Sequence, residues 1–194
     1  MQTQAKYGKL VVLSGPSAGV GKDTILKMFL QKHPDWIMPA STTTRAPRDG
    51  EVDGRDMNFI DQDTFDKWKY SNKFLEAIRV DDGKWYGTLR QPVEDALEQG
   101  KSVILRVDVK GALVIKEKIP QAFLVFMNAE SIDALEARMR SRGTEDESSI
   151  VRRLDLAKKE MGYQDRYDKI VINHTGRPDQ ALADLEAAIG AQNA

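Results

Sequence analysis

Residues 10–30 contain an apolar run, a glycine-rich turn ending in lysine and a helical pattern, in the order LVVLSGPSAGVGKDTILKMFL. A phosphate-binding loop requires this succession of strand, loop and helix. The glycines permit positive φ angles, so that successive backbone N–H groups face an anion at the positive end of the helix. The lysine adds an ammonium group to that set. The stretch therefore predicts a phosphate-binding site formed by Gly15, Pro16, Ser17, Ala18, Gly19, Val20, Gly21, Lys22, Asp23 and Thr24.

The loop departs from the usual spacing, G-x-x-x-x-G-K-[ST], in two ways. Counting back from Lys22 reaches Pro16 instead of a glycine, so a loop that begins at Gly15 is one residue longer than the pattern. Asp23 stands where Ser or Thr is expected, and Thr24 follows one place later. These two residues are the candidates for binding Mg²⁺. A plain glycine turn between a strand and a helix is the alternative, and it accounts for fewer of these features.

The composition is typical of a globular protein, since 41% of the 194 residues are hydrophobic and 30% are charged. The net charge is −1, from 29 basic and 30 acidic side chains, so no overall field favours nucleic acid or an anionic membrane. The absence of cysteine excludes disulfides and thiolate metal sites. We expect neither a signal peptide nor a membrane span, because no apolar run approaches the ~20 residues of a span. We therefore expect a cytoplasmic protein, and either a monomer or a homodimer is compatible with the sequence.

Strand and helix patterns alternate after the loop, and the first helix is expected to end near His33 because Pro34 follows. The predicted strands are residues 37–41, 57–60, 74–80, 102–109, 123–127 and 169–173, and residues 81–88 are predicted to form a hairpin turn with a second short strand. The predicted helices are residues 61–70, capped by Asp61 or Asp63, 92–99, 112–118, 131–139, one from about 147, and 179–189. This alternation predicts an α/β fold with a central parallel sheet flanked by helices. Residues 37–88 are predicted to form a small antiparallel insert.

Several motifs follow the loop in a fixed order: STTTRAPRDGEVDGRD, FLEA, WYGT, VDVKGA and RSRGTEDES. Together with the loop they resemble the guanylate kinase family, whose members phosphorylate GMP from ATP, and the resemblance extends from about residue 9 to the last helix. It implies one domain of residues 1–194 that uses ATP with Mg²⁺ and GMP or dGMP. Its implied parts are a P-loop kinase core (9–36, 89–137 and 154–191), an inserted GMP-binding subdomain (37–88) and a helical lid (138–153).

The resemblance also implies how GMP is bound. Arg45 and Arg48 would hold its phosphate together with Tyr86, since guanidinium groups bind phosphate through paired hydrogen bonds. A carboxylate matches the N1–H and N2–H₂ donors of guanine, and the resemblance assigns this part to Glu76. The implied GMP-binding set is Ser41, Arg45, Arg48, Glu51, Glu76, Tyr86, Thr88 and Asp108.

On the ATP side, the resemblance implies three arginines around the triphosphate and Asn173 near adenine. Phosphoryl transfer needs mainly positioning and neutralisation of charge, so no general base is expected. The implied catalytic residues are all cations: Lys22, Arg45, Arg138, Arg142 and Arg153. Closure of the lid would exclude water. Surface or packing positions, without a functional part, are expected for Arg140, Arg152, His33, His174, Trp36, Trp68 and Trp85.

The sequence departs from the family pattern at two more positions: Met57 stands for a tyrosine, and Arg106 stands for an acidic residue near the Mg²⁺ and phosphate site. One hypothesis is that Asp23 supplies a replacement carboxylate, so that Asp23 and Arg106 form a compensating pair. A binding module that has lost catalysis, and binds a nucleotide or a phosphopeptide, is an alternative function. A kinase for another monophosphate is a third, although Glu76 facing the N1 acceptor of adenine would be repulsive.

Overall fold

The alternation expected from the sequence is present in the computed structural model, which describes residues 7–17, 19–80, 83–143 and 146–191. The predicted loop residue Ala18 lies outside these described residues, and so does the side chain of Arg142. Within them the strands and α-helices follow in this order: β1 (Leu10–Ser14), α1 (Lys22–Lys32), β2 (Ser41–Thr43), β3 (Met57–Phe59), α2 (Gln62–Tyr70), β4 (Phe74–Arg79), β5 (Trp85–Leu89), α3 (Arg90–Glu98), β6 (Val103–Arg106), α4 (Val109–Lys118), β7 (Phe123–Ala129), α5 (Ile132–Arg142), α6 (Glu147–Met161), β8 (Lys169–Asn173) and α7 (Pro178–Gly190).

The central sheet has the strand order β6-β1-β7-β8. Strand β1 pairs in parallel with β7, and β7 pairs in parallel with β8. Every residue of β1 is buried, which is the reason that its sequence is a continuous apolar run instead of an alternating one. The predicted α/β fold with a parallel central sheet and flanking helices is confirmed. No helix in the described ranges is long and apolar enough to cross a membrane.

The described residues divide into two compact units. The first unit takes residues 7–10, 35–105 and 110–122, and the second takes residues 11–34, 106–109 and 123–191. In the second unit, α1 buries Ile25, Leu26 and Phe29, as its apolar pattern predicts, and it packs against α7.

The first unit contains a second sheet, with the order β3-β2-β5-β4. Strand β5 is antiparallel to both β2 and β4, but β2 and β3 are parallel. The prediction of an antiparallel insert was therefore wrong for this pair, because residues 44–56 carry the chain back to the starting end of β2. Helix α2 packs its Phe65 ring 4.6 Å from Phe74 and 5.6 Å from Trp85, measured between ring centroids.

Two predicted strands differ from the structure by more than two residues at one end. The strand expected at residues 37–41 is β2 at Ser41–Thr43, and Ile37 forms an isolated bridge. Pro39 separates the two, and it lacks the N–H group that a strand ladder needs. The strand expected at residues 102–109 ends at Arg106, and α4 begins at Val109. Of the two candidate caps of α2, Asp61 is confirmed, since its carboxylate accepts a 2.6 Å hydrogen bond from the Thr64 N–H.

Candidate active site

The glycine-rich loop joins β1 to α1 in the second unit. Gly15 and Gly21 have φ angles of 134° and 89°. A Cβ atom on Gly15 would lie 2.0 Å from the Met127 carbonyl oxygen, and one on Gly21 would lie 2.5 Å from Asn173 Nδ2. Both the backbone conformation and the close contacts therefore require glycine at these two positions. Gly21 is also the N-cap of α1 and provides no side-chain cap, so the first N–H groups of the helix are suited to an anion.

Lys22 is the first residue of α1, and its ammonium group lies over the loop. Its Nζ donates hydrogen bonds to the carbonyl oxygens of Gly15 and Pro16, at 2.9 and 2.6 Å. Burial lowers the pKa of Lys22 to about 8, although the nearby charges of Glu160 and Asp23 act in the opposite direction. The ammonium group is thus held among loop atoms at the start of the helix, where a phosphate would meet it.

Glu160, in the last turn of α6, is a loop contact that the sequence analysis missed. Its two carboxylate oxygens accept 2.8 Å hydrogen bonds from the backbone N–H and the hydroxyl of Ser17. Arg153, on the same helix, donates to the Ser17 carbonyl oxygen at 2.9 Å. A signal was present in the sequence, because Glu160 continues the apolar stripe of Ile150, Leu154 and Ala157, where a charged residue is unexpected.

Asp23 and Arg106, the two positions with unexpected charge, are in contact. Arg106 Nη1 donates a hydrogen bond to Asp23 Oδ1. Asp23 lies in the first turn of α1, where the helix dipole favours a carboxylate, and Arg106 ends β6. The charges of Arg106 and Asp108 also act on Lys22. In the second unit, Asp108 therefore belongs to the charged surroundings of the phosphate-binding loop.

Arg138 and Asn173, predicted on the ATP side, both lie beside the loop. Arg138 Nη2 donates to Glu130 Oε2 and to the Asn173 carbonyl oxygen, each at 2.6 Å. Asn173 Nδ2 donates to the Val20 carbonyl oxygen at 2.9 Å. Burial of Glu130 opposes its ionisation, but hydrogen bonds from Thr175 and the charge of Arg138 hold its pKa at about 2. Arg138 is therefore held by a carboxylate that stays ionised at neutral pH.

In the first unit, four residues lie in one row across the sheet: Met57, Ser41, Thr88 and Glu76. Ser41 is paired with Met57 on one side, and Glu76 is paired with Thr88 on the other. Thr42 is paired with Gly87, so continuing this antiparallel register by one residue sets Ser41 opposite Thr88. Cross-strand neighbours point to the same face. Ser41, Thr88 and Glu76, which the resemblance joins, therefore share one face of this sheet.

Glu76 and Thr88 are buried, with 5% and 2% of their surfaces exposed, and they are hydrogen-bonded to each other. The Thr88 hydroxyl donates to Glu76 Oε1 at 2.7 Å. Tyr86, two residues before Thr88 on β5, points to the same face. Trp85 points to the other face, where it packs against Phe65 as expected of a packing residue.

Arg45 follows β2 and is held by a carboxylate and a phenol. Its Nη1 and Nη2 donate to Glu51 at 2.8 and 2.9 Å, and its Nε donates to Tyr86 Oη at 3.2 Å. Glu51 also accepts a 2.7 Å hydrogen bond from the Arg48 N–H. The hydrogen bonds from Arg45 and Arg48 lower the pKa of Glu51 to about 2. Glu51 thus orients Arg45 and organises the loop that carries Arg48.

Mg²⁺ usually takes one or two protein carboxylates together with substrate phosphates and water. The first turn of α1 offers a donor set of this kind, because Asp23 and Thr24 are exposed and present a carboxylate and a hydroxyl. In the described ranges, no group of three or more His, Cys, Asp or Glu residues is arranged to hold a metal ion. The residues present therefore fit a Mg²⁺ ion that is bound largely through a nucleotide.

A glycine-rich loop between the first strand of a parallel sheet and a helix that begins with lysine defines a P-loop protein. Comparison with known proteins makes the class narrower. Residues 7–192 match the family model described as guanylate kinase, and on this match the chain belongs to the guanylate kinase family.

Individual relatives agree with this assignment. A guanylate kinase of Synechocystis sp. is 42% identical over 189 residues, which cover 97% of this chain and 96% of the relative. One of Gloeobacter violaceus is 45% identical over 180 residues, which cover 92% and 84%. A crystal structure of guanylate kinase from Anaplasma phagocytophilum matches with a TM-score of 0.77 at 25% identity, covering 96% of this chain and 87% of that one. These are ATP-dependent nucleoside monophosphate kinases, so a binding module without catalysis is not favoured.

Proposed function

We propose that the protein transfers the γ-phosphoryl group of ATP to GMP or dGMP, giving ADP and the guanine nucleoside diphosphate. The observation that carries the proposal is the row of Ser41, Thr88 and Glu76 on one face of the second sheet. A buried carboxylate with adjacent hydroxyls matches the hydrogen-bonding edge of guanine, whose N1–H and N2–H₂ are donors. The same carboxylate would repel the N1 acceptor of adenine, so the row favours guanine over adenine.

In the first unit, the loop that carries Arg45 and Arg48 binds the phosphate of the acceptor, GMP. Arg45 is held by Glu51 and Tyr86, which fixes the plane of its guanidinium group before a ligand arrives. A guanidinium group of fixed orientation binds phosphate oxygens with two parallel hydrogen bonds and loses little side-chain entropy in doing so. Arg48 and the Tyr86 hydroxyl complete the set that we assign to the phosphate of GMP.

The donor phosphates are bound by the loop and the cations around it. The N–H groups at the start of α1 and the Lys22 ammonium group bind the β- and γ-phosphates, while Arg138, Arg142 and Arg153 neutralise charge as the phosphoryl group moves. Asp23 and Thr24 would hold Mg²⁺, which supplies further positive charge to the β- and γ-phosphates when it is bound. The acceptor oxygen of GMP is already ionised at neutral pH, so this chain needs no general base for the transfer.

A coupled assay for ADP tests the proposal, with ATP, Mg²⁺ and each of GMP, dGMP, AMP, CMP and UMP. We expect turnover with the two guanine nucleotides alone, and loss of it in Lys22→Ala. In Glu76→Gln we expect kcat/KM for GMP to fall about 100-fold, because the amide cannot accept both guanine donors. Binding of GMP by calorimetry without turnover of any acceptor would contradict the proposal and indicate a binding module.

Other expectations concern the oligomeric state, the location and the macromolecular partners of the protein. A monomer or homodimer, in the cytoplasm and without a nucleic-acid partner, stays a prediction of the sequence. Light scattering during size-exclusion chromatography measures the oligomeric state directly.

A further inference from the structure

Ser17, in the phosphate-binding loop, is held by α6 at three of its polar groups. Its N–H and hydroxyl donate to Glu160, each at 2.8 Å, and its carbonyl oxygen accepts from Arg153 at 2.9 Å. Glu160 and Arg153 are seven residues apart, which is two helical turns, so they lie on the same face of α6. One face of this helix therefore engages both backbone polar groups of one loop residue.

The carboxylate of Glu160 occupies an unfavourable place. It is 9% exposed, and it lies in the last turn of α6, where the helix dipole disfavours negative charge. Burial raises its pKa, and the hydrogen bonds from Ser17 together with the charge of Lys22 act in the opposite direction. A carboxylate in such a place destabilises the fold unless its partners compensate, and the loop supplies those partners.

Ser17 lies in the part of the loop that is longer than the usual pattern. The pattern has four residues between its two glycines and this loop has five between Gly15 and Gly21, so Ser17 belongs to the lengthened segment. The Ser17 N–H donates to Glu160, which leaves the N–H groups at the start of α1 to face the phosphates. The lengthened segment needs an anchor, because an unanchored extra residue would let the backbone before Lys22 shift.

We propose that Glu160 is a positioning residue for ATP: by binding Ser17 it anchors the lengthened loop against α6. This inference rests on the proposed function, because it assumes that the loop binds the phosphates of ATP.

Three substitutions test the anchor. Glu160→Ala removes both hydrogen bonds to Ser17, whereas Glu160→Gln keeps the shape and an acceptor for the Ser17 N–H. Ser17→Ala removes one of the two hydrogen bonds to Glu160. Asp155→Asn is the matched control, because it removes an exposed carboxylate from the same helix.

The measurement is the affinity for ATP by calorimetry, with thermal unfolding measured in parallel. In Glu160→Ala ATP should bind about three- to tenfold more weakly, because both hydrogen bonds to Ser17 are lost. Glu160→Gln should restore most of this affinity, and Ser17→Ala should show a smaller loss. Asp155→Asn should bind ATP as tightly as the unsubstituted protein.

Hydrogen exchange is a second measurement of whether the contact between Glu160 and Ser17 holds the loop in place. Amides of residues 19–24 should exchange faster in Glu160→Ala and Ser17→Ala than in Asp155→Asn, since the loop before them is no longer held. Unchanged ATP affinity together with unchanged exchange of residues 19–24 in Ser17→Ala would overturn the inference even if Glu160→Ala fails to fold. If the unsubstituted protein does not bind ATP at all, it is the proposed function that fails.

Discussion

At the scale of single residues, Glu51 shows how a carboxylate holds a cationic side chain in one orientation. It binds Arg45 through both oxygens and also accepts the Arg48 N–H. Its pKa of about 2 is far below the usual value, because these hydrogen bonds stabilise the ionised form. Glu51 therefore stays ionised across the range in which the protein would work, and the orientation of Arg45 should not change with pH there.

Glu51→Gln tests this interpretation. We expect KM for GMP to rise about tenfold, because Arg45 loses a charged partner and samples other rotamers. The affinity for ATP should stay unchanged. Steady-state kinetics with GMP as the varied substrate measures the effect.

Asp56→Asn is the matched control for Glu51→Gln, because Asp56 is a carboxylate of the same loop that pairs with exposed Arg55. A surface pair of this kind contributes little to stability or orientation. If the two variants raise KM for GMP equally, Glu51 has no special part in orienting Arg45.

At the scale of secondary-structure elements, the start of α1 combines two unusual residues. Asp23 follows Lys22 directly and places a carboxylate in the first turn of the helix. Arg106, at the end of β6, donates a hydrogen bond to this carboxylate. The structure thus brings together two departures from the family pattern that are 83 residues apart in sequence. A carboxylate placed at a helix start and held by an arginine can replace the acidic side chain that the end of β6 lacks.

Asp23→Ala should raise the Mg²⁺ concentration for half-maximal turnover about tenfold, because the carboxylate that replaces the missing one is removed. Arg106→Ala should change this concentration less, since Asp23 is retained. Activity at saturating ATP and GMP, titrated with Mg²⁺, measures both variants. An unchanged Mg²⁺ requirement in Asp23→Ala would reject the compensating pair.

At the scale of the whole molecule, the two sets of candidate residues belong to different units. The row of Ser41, Thr88 and Glu76 lies in the first unit, as does the loop that carries Arg45 and Arg48. The glycine-rich loop and Lys22 lie in the second unit. A ligand that binds the folded state stabilises it by RT ln(1 + [L]/Kd), about 2.7 kcal/mol at 100 times Kd. GMP should therefore slow hydrogen exchange mainly in the first unit, and ATP should slow it mainly in the second.

Hydrogen exchange with mass spectrometry tests this division. GMP should slow exchange in β2, β4 and β5, and ATP should slow it in residues 19–24. Lys22→Ala should abolish the protection by ATP and retain that by GMP. If GMP slowed exchange in residues 19–24 but not in the second sheet, the assignment of guanine to Ser41, Thr88 and Glu76 would be contradicted.

Local patterns were enough to predict much of this protein from its amino-acid sequence. The limits of α1, α2 and α7 follow from apolar periodicity, proline and capping residues, all of which act within a few positions. The loop at residues 15–24 is recognisable for the same reason, since its chemistry is contained in one short stretch. The order of the motifs then indicated the family, which the comparisons confirm.

Only the tertiary structure decided the contacts between distant stretches. Glu160 meets Ser17 across 143 positions of the chain, and the parallel pairing of β2 with β3 depends on the path of the loop between them. Contacts of this kind depend on strand register and helix placement, which many residues determine together. Local periodicity carries no information about which distant residue will face a given side chain, and for this reason the anchor of the lengthened loop became visible only in the fold.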